Sequence, residues 1–109
     1  MAVTFSLNQE SGKWRVKIIG DGGEPFDVND IDTVSIAFYK PDGTRFVKPG
    51  ELVEDLPDNP GEFFIQYIND PPEESILDLI GKWEYSGAGT LVVTEAFFET
   101  SQRAVFWVL

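Results

Sequence analysis

The sequence contains neither cysteine nor histidine. Without cysteine the chain has no disulfide bonds, no thiolate metal ligands and no cysteine nucleophile. Without histidine it lacks the commonest general base and the commonest transition-metal ligand. The Gly-x-Ser-x-Gly motif of serine hydrolases is also missing. We therefore expect that the protein is not an enzyme, holds no cofactor and has no metal site.

Basic residues are scarce. Eight Lys and Arg stand against 19 Asp and Glu, which gives a net charge of −11. A field of that sign repels phosphate backbones and anionic lipids. Long apolar runs are missing too, because no stretch approaches the roughly 20 residues that span a bilayer. These deficits predict that neither nucleic acid nor membrane is a partner.

The residues that are present indicate one globular domain over 1–109. Hydrophobic residues make up 42% of the chain and aromatic residues 14%. A chain of this length can bury a substantial core. Its aromatic content exceeds what a minimal core needs, and aromatic side chains dominate the energetics of both cores and interfaces.

Short apolar segments separated by turn residues recur about every ten positions, which is typical of an all-β chain. Lys13–Ile19 shows the clearest alternation, with Trp14 and Val16 on the opposite face from the basic residues. The pattern predicts these strands: Val3–Leu7, Lys13–Ile19, Thr33–Lys40, Thr44–Lys48, Glu62–Ile68, Lys82–Ser86, Thr90–Phe98 and Arg103–Leu109.

One segment has the signals of a short helix. Pro71–Gly81 reads PPEESILDLIG, with prolines at its start, acidic residues in the first turn and glycine at its end. The sequence therefore predicts an all-β fold: an antiparallel, immunoglobulin-like β-sandwich of about seven or eight strands with one short helical connector. A small antiparallel barrel is the alternative.

Two other patterns suggest binding sites. The segment DVNDID places Asp27, Asn29, Asp30 and Asp32 close together, and such oxygen ligands suit calcium in an adhesion domain. The segment lacks the glycine and distal glutamate of an EF-hand, so the pattern favours a solvated loop with no metal.

A second set consists of aromatic residues that could stack on sugar rings. They are Trp14, Tyr67, Trp83, Tyr85 and Trp107. If they were exposed, the chain would be a carbohydrate-binding module, which is the alternative function. Core positions are the more common use of such residues.

Several strands are apolar on both faces, although a strand with one face in water alternates between apolar and polar residues. In Arg103–Leu109, one face carries Ala104, Phe106 and Val108, and the other carries Val105, Trp107 and Leu109. Large exposed apolar patches are rare on monomers. We therefore predict an interface with other subunits through five residues: Phe64, Ile68, Val105, Trp107 and Leu109.

Four segments carry a resemblance to a known group of proteins: TVSIAFYKPDGTRFVK, GEFFIQYIND, LIGKWEYSGAG and SQRAVFWVL. In this order they resemble small β-sandwich virion proteins of tailed bacteriophages, of the baseplate, tail and neck type. The resemblance implies a non-enzymatic structural subunit of the particle, found in the tail, the neck or baseplate, or as a capsid decoration. Such a subunit is made in the host cytoplasm and located in the virion. It packs against itself and other virion proteins through apolar sheet faces and strand edges.

Overall fold

The computed structural model describes residues 3–17, 31–54, 63–71, 73–100 and 103–109. Within these residues the chain is all-β and contains no helix. The strands are β1 (Val3–Phe5), β2 (Gly12–Lys17), β3 (Ile31–Tyr39), β4 (Arg45–Pro49), β5 (Glu51–Glu54), β6 (Phe63–Asn69), β7 (Gly81–Leu91), β8 (Phe97–Glu99) and β9 (Ala104–Val108).

The strands form two sheets. The larger sheet has the order β1-β9-β7-β3-β4, and β8 pairs with the end of β7 that β9 leaves free. The smaller sheet has the order β2-β6-β5. The described neighbours are antiparallel except β1 and β9, which run parallel and pair Val3 with Phe106. The all-β prediction is confirmed, whereas the purely antiparallel arrangement is wrong for this pair.

The core lies between the two sheets. Alternate residues of β3, β7 and β9 point inward from the larger sheet, among them Phe38, Trp83 and Phe106, while Ile65 and Tyr67 point inward from β6. Trp83 is fully buried and stacks on Phe106 with the ring centroids 5.6 Å apart. Period-two alternation thus assigns each strand one core-facing row, as the sequence predicts.

The predicted helix between Pro71 and Gly81 is wrong. In its described part, the Leu77 N–H is bonded to the Ser75 hydroxyl, and the Asp78 N–H donates to the carbonyl of Ile76. These bonds span two residues, whereas a helix needs bonds that span four. Ile76 and Leu77 are both buried in the core. An irregular segment can direct two consecutive side chains into the core. A single helical turn, in contrast, has only marginal stability on its own.

Strand boundaries show two further differences from the sequence prediction. Lys82–Ser86 and the start of Thr90–Phe98 belong to one long strand, β7, and β5 has no predicted counterpart. β5 is short and begins and ends with glutamate, so its apolar content falls below that of a recognisable strand. Asp27, Asn29 and Asp30 lie outside the described residues.

Candidate interaction surfaces

The five predicted interface residues lie on two different surfaces. Trp107 and its neighbours on β9 point away from the core on the larger sheet, while Phe64 and Ile68 occupy the outer row of β6 in the smaller sheet. These two rows face opposite sides of the sandwich. The residues therefore do not form one contiguous interface.

The β9 strip comprises the outward side chains Val105, Trp107 and Leu109. Trp107 is 40% exposed and Leu109 is 69% exposed. Strand pairing places Trp107 between Thr4 on β1 and Lys82 on β7. The strip is therefore an apolar band with polar neighbours on both sides, as the alternation in the sequence predicts.

Two exposed residues outside the predicted interface set, Leu7 and Ile80, lie at the end of the β9 strip. The Leu7 N–H donates to the carbonyl of Leu109 at 3.0 Å, which holds Leu7 beside the end of the strip. Ile80, which is 64% exposed, immediately precedes Gly81, the residue that pairs with Val108 at the end of β9. Ile80 lies outside the predicted strands. Leu7 is the last residue of the predicted strand Val3–Leu7 and shares its alternation face with Phe5, which packs against the core, so alternation did not mark either residue as exposed.

The centre of the same outer face holds a polar network. Glu99 on β8 accepts a hydrogen bond from the Tyr39 hydroxyl at 2.5 Å and forms an ion pair with Arg45 at 2.7 Å. Arg103 lies over the Tyr39 ring, 3.7 Å from its centroid, and pairs with Glu84 at 3.2 Å. Side chains from β3, β4, β7 and β8 thus meet in one cluster, which we call the polar network.

Ionisation of Glu99 depends on this network. Burial raises the pKa of Glu99, but the hydrogen bonds from Tyr39 and Arg45 and the charges of Arg45 and Arg103 outweigh that effect, so the pKa is held below its ordinary value. The hydrogen bond with Glu99 likewise raises the pKa of Arg45. The charged forms of Glu99 and Arg45 therefore stabilise each other. β8 is held in place by the Glu99 side chain as well as by its backbone hydrogen bonds.

Small residues form the floor beneath the polar network. Ala37, Ser86 and Ala88 belong to the outward rows of β3 and β7, and all three are buried. The Ser86 hydroxyl has no hydrogen-bond partner among the described residues. Long side chains of the same face therefore cover the middle of the sheet.

A groove of about 450 Å³ opens at the far end of this face. Phe97, which is 89% exposed, and Val47 contribute apolar walls, while Thr33 and Thr90 face each other with their hydroxyl oxygens 2.6 Å apart. Phe97 is not among the five predicted interface residues. Its only signal was the sequence Phe97-Phe98, in which one ring must point outward when the other points inward.

The outer face of the smaller sheet is basic and amphipathic. Lys13, Arg15 and Lys17 form the outward row of β2. The guanidinium of Arg15 lies 5.5 Å from the ring centroid of Phe64 and donates to the Gln66 side chain at 2.7 Å. Arg15 therefore shields Phe64, and this surface is less apolar than the sequence suggests.

The aromatic residues proposed as a sugar-stacking platform do not share a surface. Trp14, Trp83 and Tyr67 are buried in the core, and Tyr85 is half-buried against it. Trp107 alone among the five is exposed. Burial therefore favours the core interpretation for these residues.

In the part of the chain that the structure describes, no group of three or more acidic side chains could hold a metal ion. No helix there is long and apolar enough to cross a membrane.

Comparison of the chain with protein-family models, with curated proteins and with solved structures finds no match.

Proposed function

We propose that the protein is a structural subunit of a bacteriophage particle, without enzymatic activity, that packs against itself and other virion proteins. The observation that carries the proposal is the outer face of the larger sheet, where the β9 strip and the Phe97 groove leave large apolar side chains in water. The four segments that resemble phage virion proteins give the biological setting. The location that follows is the virion, after synthesis in the host cytoplasm.

The energetic argument rests on what these side chains gain from cover. A tryptophan that is 40% exposed leaves roughly 100 Å² in water, and burying that area is worth about 2.5 kcal/mol at 25 cal/mol per Å². Leu109 and Phe97 add comparable amounts. An assembly that covers both apolar regions therefore has a sufficient driving force.

The strand arrangement supports an immunoglobulin-like assignment for the sandwich. The β2-β6-β5 sheet faces a sheet whose central strands are β9, β7 and β3, with β4 added at one edge. This order corresponds to that of variable-type immunoglobulin domains, in which an extra strand extends one sheet. Sandwiches of this kind serve widely as assembly and adhesion modules, and their function depends on surface residues.

The test of this function is the protein composition of the particle. Virions of the phage that encodes the chain would be purified through a density gradient and their proteins quantified by mass spectrometry. We expect the chain to co-purify at a constant ratio to the major capsid protein, and antibodies raised against it to label one location in electron micrographs. The proposal is wrong if the chain stays in the soluble fraction together with a replication protein used as control.

A further inference from the structure

We propose that two copies of this chain pair face to face through the outer face of the larger sheet, related by a two-fold axis that crosses the strands at Ser86. This inference rests on the proposed function, because it names a second copy as one partner of the subunit. It identifies both the surface used and the residues that meet.

The apolar regions are placed symmetrically along β7. Lys82 pairs with Trp107, and Thr90 pairs with Phe97, so both pairs lie four residues from Ser86. At about 3.3 Å per residue, each lies roughly 13 Å from the centre. Because β8 and β9 both pair with the same edge of β7, the two apolar regions also lie on the same side of that strand.

This placement fixes the contacts of the pair. The proposed two-fold axis lies in the plane between the two faces and runs across the strands at the level of Ser86. Rotation about this axis places the Lys82 end of one β7 over the Thr90 end of the other, while each strand lies over its own counterpart. Trp107 of one copy then faces Phe97 of the second copy, and the same contact occurs twice. Such a self-complementary contact is the defining property of an isologous dimer.

The charges of this face permit the approach of a second copy. In the polar network, Arg45 and Arg103 balance Glu84 and Glu99, and Lys82 adds one positive charge. The whole chain carries −11, so its acidic surfaces elsewhere repel a second copy. The outer face of the smaller sheet suits such pairing poorly, because a two-fold axis would bring two rows of Lys13, Arg15 and Lys17 together.

The area of the face is sufficient for a dimer. Four to five strands spaced about 4.8 Å apart, over the roughly 26 Å from Lys82 to Thr90, give about 600 Å² per copy. The pair would then bury about 1,200 Å², which is at the lower end of specific interfaces. We therefore expect a reversible dimer that forms as concentration rises.

The absence of cysteine permits a direct test by disulfide cross-linking. The two-fold axis also brings Lys82 of one copy against Thr90 of the other, because these residues lie beside Trp107 and Phe97. Three variants that keep both aromatic residues would be oxidised with copper phenanthroline at a concentration where the native chain associates: Lys82→Cys, Thr90→Cys and the double variant. Within one copy the two positions lie roughly 26 Å apart, which excludes an internal bond. We expect cross-linked dimers from the double variant and from a mixture of the single variants, and none from either single variant alone.

A charge exchange provides a second measurement. Phe97→Asp and Trp107→Lys should each be monomeric in light scattering, because both contacts of the pair change. An equimolar mixture should recover dimers, since the mixed pair keeps one Trp107–Phe97 contact and gains an Asp–Lys contact. Melting temperatures close to native would show that both variants fold, as expected for outward side chains.

The outcomes separate this inference from the proposed function. A native chain that stays monomeric, an absence of cross-links in the double variant, or normal association of Phe97→Asp would overturn the pairing. The chain could still co-purify with virions in that case, and the proposed function would stand. Cross-linked dimers of a chain that is missing from virions would support the pairing and overturn the proposed function.

Discussion

At the residue scale, the clearest constraint is the space around Gly89. A Cβ atom at this position would collide with the carbonyl oxygen of Thr33 and would lie 2.8 Å from the Phe98 ring. Thr33 lies on β3 and Phe98 on β8, so Gly89 is packed on both sides by strands that pair with β7. The larger sheet requires glycine here because its neighbours cannot move away independently.

We predict that Gly89→Ala destabilises the fold by about 3 kcal/mol or more, because backbone must shift to admit the methyl group. Gly43→Ala is the matched control. Gly43 has open space around it but a φ of +90°, so alanine there should cost only about 1 kcal/mol. Urea unfolding followed by intrinsic fluorescence measures both free energies. Equal effects from the two variants would refute the packing argument.

Substitutions at Trp107 and Trp14 distinguish effects on assembly from effects on folding. Trp14 is buried between the sheets, whereas Trp107 is on the outer face. We expect Trp107→Asp to keep a near-native melting temperature and to lose self-association. Trp14→Phe should lower stability by about 1–3 kcal/mol, because it leaves a cavity, and should associate normally once folded. Light scattering and thermal unfolding of both variants measure this contrast, and Val93→Asp, at an exposed turn, controls for added negative charge.

At the element scale, β8 illustrates how side chains hold a short strand. It has three residues and, among the described strands, pairs with β7 alone. Its Glu99 crosses the small-residue floor to reach Tyr39 on β3 and Arg45 on β4. The polar network therefore attaches β8 to two strands with which it shares no backbone hydrogen bonds.

Because the folded-state pKa of Glu99 lies below its unfolded value, its ionised form favours the folded state. This stabilisation is present above the unfolded pKa of about 4.3 and is lost as pH falls through the folded pKa. We predict that Glu99→Gln lowers the melting temperature at pH 7 and that its difference from native shrinks towards pH 3. The exposed Glu95→Gln should differ little from native at either pH. A Glu99→Gln deficit that is equally large at pH 3 would contradict this role of the charge.

The same elements show what the sequence could predict. Alternation in Arg103–Leu109 assigned Phe106 and Val108 to the core and Trp107 to the surface, because a strand obeys period two regardless of its partners. The polar network could not be predicted, since Glu99 and Tyr39 are 60 residues apart and meet only through strand order. The connector was predicted as a helix because local signals cannot report that Ile76 and Leu77 both enter the core.

At the scale of the whole molecule, charge and apolar surface oppose each other. The chain carries −11, which keeps separate copies apart, while the outer face of the larger sheet favours contact. Both effects act when two copies meet, but only the electrostatic repulsion changes strongly with salt concentration in the dilute range. Ionic strength therefore separates their contributions.

We predict that self-association of the native chain strengthens severalfold when sodium chloride is raised from about 10 mM to 0.1 M, because the Debye length falls from about 30 Å to about 10 Å and repulsion is screened. Sedimentation velocity at matched protein concentrations measures the dissociation constant. A dimer held mainly by ion pairs would weaken over the same range, and that result would contradict an apolar interface.

The parallel pairing of β1 with β9 also has a consequence for the order of events during synthesis. Val3 pairs with Phe106, so β1 must wait until about 100 further residues have left the ribosome before its partner exists. Contacts this distant in sequence slow folding, because a long loop must close before any bond forms. The strand that carries Trp107 is thus among the last to be fixed in place, and nascent copies cannot present their contact surface until each has nearly finished folding.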